Sequence, residues 1–502
     1  MLISIEPTQV KTPLILTLDV GTSSTRAMLF DRHARPVTGI IAQVANQLRT
    51  TAGGGAEFDP ADILAGVVTV IDQVLDLAGS LAEQINGVAT DTFVTNIMAI
   101  DAVGRALTPV FTYADTRCAP DAAALRQEFD LTSVYHRTGC RIHSSYLPAR
   151  FRWLERTHPD WLKAAAHWVS VGEYLMSEFL GQRLVSYSVA SWTGLLNRNH
   201  LKWDEEWLSH LPIDTRQLSP LTDVDRPLGG LRRKWAKRWP ALKNVLWFPA
   251  VGDGAAANLG SGCQTPQRVA LTIGTTGAMR VVLHENIAGL PEGLWCYRID
   301  RQRALLGGAT SEGGNLFAWL TNTLQLPPQP QLEQELSRLK PAAHGLIFLP
   351  FVAGERAPGW HDEARASLIG FGQNTRPIEI LRAGLEGVAY RFALIHERIT
   401  PHLPPNHQII ASGGGLLSSP TWLQIMADVL GRPLIASTIK EATSRGAALL
   451  ALEALGYTVD EPVDPGKTYQ PNLAHRARYD QALKEQLEAY QLFVDRDETA
   501  TS

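Results

Sequence analysis

Leu14-Ile15-Leu16-Thr17-Leu18-Asp19-Val20, then Gly21-Thr22-Ser23-Ser24, then Thr25-Arg26-Ala27-Met28-Leu29-Phe30 reads as strand, tight turn and strand, because two apolar, β-prone runs flank a small hydroxylated turn. Far downstream, Arg268-Val269-Ala270-Leu271-Thr272-Ile273 leads into Gly274-Thr275-Thr276-Gly277 and leaves through Ala278-Met279-Arg280-Val281-Val282-Leu283. The same hairpin is written twice. A turn of glycine with threonine or serine presents backbone N–H groups and hydroxyls on one side, and glycine leaves no Cβ in the path of a phosphate. Each turn alone is equally a good hairpin turn; as a pair across two halves they could hold one polyphosphate from opposite sides. The copies differ at one position that matters: Asp19 stands two residues before the first turn, and Thr272 holds that place before the second. Hard Mg²⁺ keeps most of its water and touches one or two carboxylates plus phosphate oxygens, so a single aspartate beside a phosphate turn is chemically sufficient.

Around each hairpin strands alternate with helices, which implies α/β layers. After Gly53-Gly54-Gly55, Asp59 can cap a helix with Pro60 at its first position, and Ile63, Val67, Val70, Ile71, Val74 and Leu75 recur at helical spacing. Ile85-Asn86-Gly87-Val88-Ala89-Thr90 reads as a short buried strand. In the second half Leu346-Ile347-Phe348-Leu349 and Gln408-Ile409-Ile410-Ala411 read as strands, residues 377–399 and 420–430 as helices, and Gly413-Gly414-Gly415 as the loop closing the second of those strands. The run 474–493 keeps helical spacing at Tyr479, Leu483, Leu487 and Tyr490 and reads as a peripheral helix.

A chain of 502 residues suggests about three ordinary domains or two large ones. Lys and Arg number 46 against 50 Asp and Glu, a net charge of -4, which offers no basic footprint for nucleic acid or an anionic membrane. The first twelve residues lack a basic segment followed by a long apolar one, and no uncharged apolar run approaches the ~18 residues of a membrane span, so a cytoplasmic protein is expected. Cys118, Cys140, Cys263 and Cys296 show no CxxC spacing and read as buried thiols, neither a zinc site nor a disulfide framework. The tryptophans mostly sit beside apolar residues at helical spacing and read as core.

In this order, Leu18-Asp19-Val20-Gly21-Thr22-Ser23-Ser24-Thr25-Arg26, Val251-Gly252-Asp253-Gly254-Ala255-Ala256-Ala257-Asn258, Thr272-Ile273-Gly274-Thr275-Thr276-Gly277 and Ala411-Ser412-Gly413-Gly414-Gly415 resemble the FGGY carbohydrate kinases. The resemblance implies an α/β fold of two actin-like ATPase (ribonuclease H-like) domains with a cleft between them. It divides the chain into residues 1–254, the sugar-binding side with the first phosphate turn, and residues 255–502, the nucleotide side with a C-terminal helix. Within the family, Tyr187-Ser188-Val189-Ala190-Ser191-Trp192-Thr193-Gly194-Leu195-Leu196 and Leu349-Pro350-Phe351-Val352-Ala353-Gly354-Glu355-Arg356-Ala357-Pro358-Gly359-Trp360 look more like gluconokinases than xylulokinases or glycerol kinases. Asp91-Thr92-Phe93-Val94-Thr95-Asn96-Ile97 departs from the gluconokinase pattern where the family places sugar contacts.

Phosphoryl transfer to an alcohol needs in-line positioning, neutralised phosphates and an acceptor for the hydroxyl proton. The resemblance makes Asp253 that base, between two glycines that let the backbone aim it. Gly274, Thr275 and Thr276 would hold the ATP phosphates from the second half, Thr22, Ser23 and Arg26 from the first, and Asp19 would seat Mg²⁺. Gly413, Gly414 and Gly415 would let backbone approach the adenosine. Gly314 and Asn315, opening the helix after Gly313, would turn unpaired N–H groups to the nucleotide, or simply start a helix. Tyr113-Ala114-Asp115 resembles the family's aromatic-x-Asp sugar element, Tyr113 packing on a sugar face and Asp115 accepting from hydroxyls. His143-Ser144-Ser145-Tyr146 matches another substrate-side stretch. If the acceptor is an acid, Arg117, Arg141 or His143 would meet its carboxylate.

Gly466-Lys467-Thr468 invites a P-loop reading, but Glu461 stands where that motif needs glycine, and Pro462 and Pro465 interrupt it, so the stretch reads as a linker. The expected activity is an ATP- and Mg²⁺-dependent kinase of a sugar or sugar acid, gluconate first and a pentulose such as xylulose second. A partner-coupled actin-like ATPase would keep both turns without needing Asp253 or a sugar pocket, and a degenerate homologue would not keep Asp19, Asp253 and both turns intact. A homodimer is the family's habit.

Overall fold

Both hairpins form as read in the computed structural model, which describes residues 4–284, 287, 289–459 and 466–495. β1 (Leu14–Val20) and β2 (Ser24–Phe30) pair antiparallel, β3 (Pro36–Ala45) extends the sheet antiparallel to β2, and β4 (Ile85–Thr92) lies parallel on the other side of β1. β5 (Val251–Gly252) then runs parallel to the end of β4. The second half repeats the plan. β6 (Arg268–Ile273) and β7 (Gly277–Leu283) form the hairpin, β8 (Ala304–Thr310) follows β7 antiparallel, and β9 (Gln408–Ser412) and β10 (Leu434–Ala436) stack parallel beyond β6. The result is a six-stranded and a seven-stranded sheet whose central strand orders match.

Each sheet is covered by helices whose ends are chemically marked. α1 (Pro60–Ala78) starts at Asp59, whose side chain accepts from the Ala61 N–H, and buries Ile63, Val67, Val70, Ile71 and Val74 in the first core. By length and composition the segment Pro60–Gln84, of mean hydropathy 1.6, could cross a membrane. Its apolar stripe instead packs on the first sheet, and Asp72 on another face accepts from Arg238 and, at 2.7 Å, from Trp239 Nε1. α2 (Asp253–Gly260) leaves the end of β5, α3 (Gly314–Thr323) follows β8, and α4 (Pro377–Ile399) and α5 (Pro420–Leu430) fill the second core. α6 (Ala442–Ala454) and α7 (Arg476–Phe493) complete the second half, α7 burying Tyr479 and Tyr490. The glycine run read as a loop instead starts a helical turn, Gly414–Leu417.

Between the two sheets α2 and α6 cross, and a separate apolar core joins them: Ile15, Met28 and Phe30 from one sheet, Val282 and Leu305 from the other, and Ala255, Ala256, Ala447 and Leu450 from the helices. The crossing is as close as backbone allows. A Cβ on Gly260 would stand 1.7 Å from Ala442 O, and one on Gly446 would stand 1.8 Å from Ala256 O. Gly446→Val should therefore cost about 1–3 kcal/mol by overpacking, read as a lower urea midpoint at unchanged slope.

Cys118, Cys140, Cys263 and Cys296 are free and buried. Thr468–Tyr469 pairs with β10 as an edge strand, and Lys467 Nζ lies 4.6 Å from the centre of the Tyr469 ring. The linker residues 461–465 lie outside the described residues.

Candidate active site

The first turn is built by its neighbours. Gly21 N–H donates to Ser24 O at 3.0 Å, Asn46 Nδ2 donates to Gly21 O at 2.7 Å and Asn46 N–H to Ser23 O at 3.0 Å. Strand register sets Asp19 opposite Arg26 on one side and Asp91 on the other. Arg26 ion-pairs with Glu441 at the start of α6 and lies 4.0 Å from Asp19, so it bridges the two halves at the cleft floor. Asp91 is fully buried, and neither of its oxygens accepts from a conventional donor. Burial, then Asp19 beside it, holds the Asp91 carboxyl well above the usual carboxylate range, and the two carboxyls, in hydrogen-bond contact, titrate as a pair. Burial also raises Asp19, against that hydrogen bond and Arg26, which pull it down. The Asp19 side chain keeps 18% exposure, and a carboxylate open to the cleft beside a phosphate turn suits a hard divalent cation.

The second turn is anchored from behind. Gly314 N–H donates to Gly274 O at 2.8 Å and Asn315 N–H to Thr275 O at 3.0 Å, while Asn315 Oδ1 accepts from Gly313 N–H at 2.8 Å. This corrects the expectation for Gly314 and Asn315: their N–H groups are not turned to a nucleotide but hold the turn, which leaves Thr275 and Thr276 exposed. Gly413 has φ +90, and a Cβ there would stand 2.4 Å from Ile273 O, so the triple glycine packs its first residue onto the strand end that carries the turn. A Cβ on Gly274 or Gly414 would meet nothing within 4 Å, which leaves both bordering open space of the kind a nucleotide needs.

A cavity of about 370 Å³ opens between the halves. Gly274, Thr275 and Thr276 line it together with Tyr113, Ser145, Tyr146, Val94 and Thr95, and Asp253 lines the same space. Asp253 is the first residue of α2, not part of a glycine turn, and its Oδ1 accepts from Gly254 N–H at 2.7 Å. Burial pushes its carboxyl up to about 6, while the Gly254 N–H and Arg280 pull it down. At neutral pH it is an ionised base with a desolvated carboxylate. Thr95 lines the wall at φ 57, a costly backbone for a β-branched residue, and Asn96 Oδ1 holds that loop by accepting from Val171 N–H at 2.7 Å.

The cavity does not take in all the expected acceptor residues. Tyr113 faces it, with its hydroxyl hydrogen-bonded to Thr22, and Tyr146 faces it with its hydroxyl 2.5 Å from that of Tyr297. Asp115 does not: it is fully buried and ion-paired with Arg117 and, at 2.8 Å, with Arg150, so it braces the domain and cannot accept from a sugar. His143 Nε2 lies against an Asp362 carboxyl oxygen, and its Nδ1 lies 3.0 Å from Ser145 Oγ. Its ring is committed across the cleft. Arg117 also binds Glu57 at 2.8 Å, and Arg141 reaches Glu292 at 3.9 Å outside the cavity. None of the three expected cations lines it.

Residues given no role in the quoted stretches, and others outside them, do so. Arg280 of β7 and Arg356 line the cavity with Trp192, Trp295, Tyr297 and Trp360. Trp192 stacks on Tyr297 at 3.7 Å and Trp295 on Tyr297 at 4.5 Å. The reading of the tryptophans as core holds for Trp168, Trp207, Trp239, Trp247, Trp295 and Trp422, Trp295 also edging the cavity, but not for Trp192 and Trp360, which are only partly buried, because periodicity along a helix does not reveal rings supplied by loops and helix ends.

The family profile described as "FGGY family of carbohydrate kinases, N-terminal domain" matches residues 14–260, and that for the C-terminal domain matches residues 269–455. The chain belongs to the FGGY family of carbohydrate kinases. It is 27% identical over 456 residues to a gluconokinase of Bacillus subtilis (strain 168), covering 89% of this chain and 88% of that one. A gluconate kinase structure from Lactobacillus acidophilus superposes with TM-score 0.87 at 25% identity, over 95% of this chain and 98% of that one, and a ligand-bound xylulose kinase structure from the same organism does so with the same values. The two-domain α/β fold is thus that of the FGGY kinases, and the activity is that of an ATP-dependent carbohydrate kinase, in place of a partner-coupled ATPase.

Proposed function

We propose that this FGGY kinase transfers the γ-phosphoryl group of ATP to a hydroxyl of a sugar acid, gluconate first among acceptors. The observation that carries the reading is Asp253, which lines one cavity together with the phosphate turn and with Tyr113 and Tyr146. In this reading Asp253 takes the hydroxyl proton as the oxygen attacks, Thr275 and Thr276 bind the phosphates from the second half, and Thr22, Ser23 and Arg26 approach from the first. Gly413, Gly414 and Gly415 border the adenosine, and Tyr113 and Tyr146 shape the acceptor pocket. Mg²⁺ held by Asp19 would neutralise charge on the phosphates. Water exclusion as the cleft closes limits ATP hydrolysis. Consumption of ATP places the reaction in the cytoplasm. A pentulose such as xylulose is the second reading, favoured by the equal superposition on the xylulose kinase.

The test is ADP release from Mg-ATP with gluconate, xylulose, ribulose and glycerol supplied separately. Strong turnover on gluconate supports the reading; turnover confined to xylulose or glycerol replaces it. A pH profile adds an independent check. Only ionised Asp253 accepts a proton and its carboxyl sits at about 6, so kcat/KM should rise as the pH climbs through about 6 and level off above it. A profile flat from pH 5 to 8 would remove Asp253 from the role of base.

A further inference from the structure

Two guanidinium groups, Arg280 and Arg356, line the cavity together with its aromatic rings. Arg280 leaves β7 opposite Gly307, and its Nε is sealed from solvent without a hydrogen-bond partner. Among the described residues it makes no hydrogen bond and no ion pair within 4 Å. Arg356 donates from Nη2 to Thr310 O at 2.7 Å and likewise forms no ion pair among the described residues. Burial lowers the Arg280 pKa, and Arg356 lowers it further against Asp253. Of the nearby carboxyls, Asp253 acts on Arg280 and each favours the other's charged form. Asp253 accepts from its own helix terminus. Glu355 is held by Arg391, by Tyr490 Oη at 2.6 Å and by Gly359 N–H at 3.2 Å. Glu312, pushed up to about 8 by burial, is a neutral acid at pH 7.

Arg280 already faces the charge of Asp253, whereas Arg356 has no ion-pair partner among the described residues, and a guanidinium lining a cavity without one is suited to a ligand that brings a carboxylate. Arg356 lines the same cavity as Tyr113, Tyr146 and Tyr297, the rings proposed for the acceptor, and lies near enough to favour their ionised forms. We infer that Arg356, with Arg280 beside it, receives the carboxylate of the acceptor, and that these two residues set the preference for an aldonic acid over a neutral polyol. Planar guanidinium forks match a carboxylate in both charge and shape. The inference rests on the reading of the chain as a sugar-acid kinase.

D-gluconate and D-glucitol share a carbon chain and differ in the terminal carboxylate. Their binding to the parent enzyme, Arg356→Gln, Arg280→Gln and Arg356→Lys is measured by calorimetry without ATP, and KM for ATP is measured beside it. The gluconate Kd should rise roughly 10- to 100-fold in each glutamine variant, the worth of a charged hydrogen bond, with the lysine variant between, and the gluconate-to-glucitol preference should fall by the same factor. The lysine variant keeps the charge and most of the packing, so it carries the test if a glutamine variant does not fold. If gluconate and glucitol weaken equally, or KM for ATP rises in place of the gluconate Kd, the arginines serve the fold or the phosphoryl group, and the inference fails while the kinase reading stands. A parent enzyme that binds and phosphorylates only xylulose or glycerol would instead overturn the sugar-acid reading itself.

Discussion

Asp253→Asn should lower acceptor-dependent ADP release by about 10²- to 10⁴-fold, the usual contribution of a positioned general base. Asparagine matches the aspartate in volume and keeps an oxygen for the Gly254 N–H, which Asp253 accepts at 2.7 Å, so the start of α2 is preserved. What is lost is the group able to take a proton. Because burial raises the carboxyl to about 6, the substitution also removes a desolvated charge, and the variant should melt no lower than the parent. Calorimetric binding of the acceptor should persist. A variant that kept more than about a tenth of parental kcat, outside the range expected for removal of a base, would show that the hydroxyl loses its proton to another group.

Arg391→Met should destabilise the second half by about 3–5 kcal/mol, the cost of stranding a buried partner charge. Arg391 and Glu355 are each 2% exposed. Their ion pair lies under the segment that carries Arg356 and Trp360, and Glu355 also ties that segment to itself through Gly359 N–H and to α7 through Tyr490. The guanidinium further lies 4.8 Å from the centre of the Tyr490 ring. Removing Arg391 leaves the carboxylate desolvated with neutral donors only. Urea midpoints provide the measurement, and the double variant Arg391→Met with Glu355→Gln should recover part of the loss. If the single variant unfolded within about 1 kcal/mol of the parent, far below the cost of a stranded charge, Glu355 would be satisfied without it.

The parts of this fold that were legible in sequence are the ones decided locally. The two hairpins, the Asp59 cap, and the helices at 377–399 and 420–430 follow from apolar spacing and turn chemistry within a few residues, and each forms. The cavity wall is decided at long range. Arg356 and Trp360 reach it from one segment, Arg280 and Trp295 from strands, and Trp192 from the end of a short helix, so no spacing connects them. Asp115 misled for the same reason: its neighbour Arg117 was visible, but Arg150, which completes its neutralisation, lies on another helix. The N–H groups of Gly314 and Asn315 look unpaired in a helix start and are consumed by Gly274 and Thr275, which sequence places far away. Asp91 became informative only when parallel register set it against Asp19.

The tight crossing of α2 and α6 has a mechanical consequence. Contacts at Gly260 and Gly446 leave no side chain between the backbones, so any tilt of one sheet against the other would pivot there. Asp253 begins the same two-turn helix that ends at Gly260, whereas the phosphate turns close the hairpins of the two sheets. Tilting would then separate the turns while barely displacing the carboxylate, so an open enzyme would have its base in place and its phosphate grip undone.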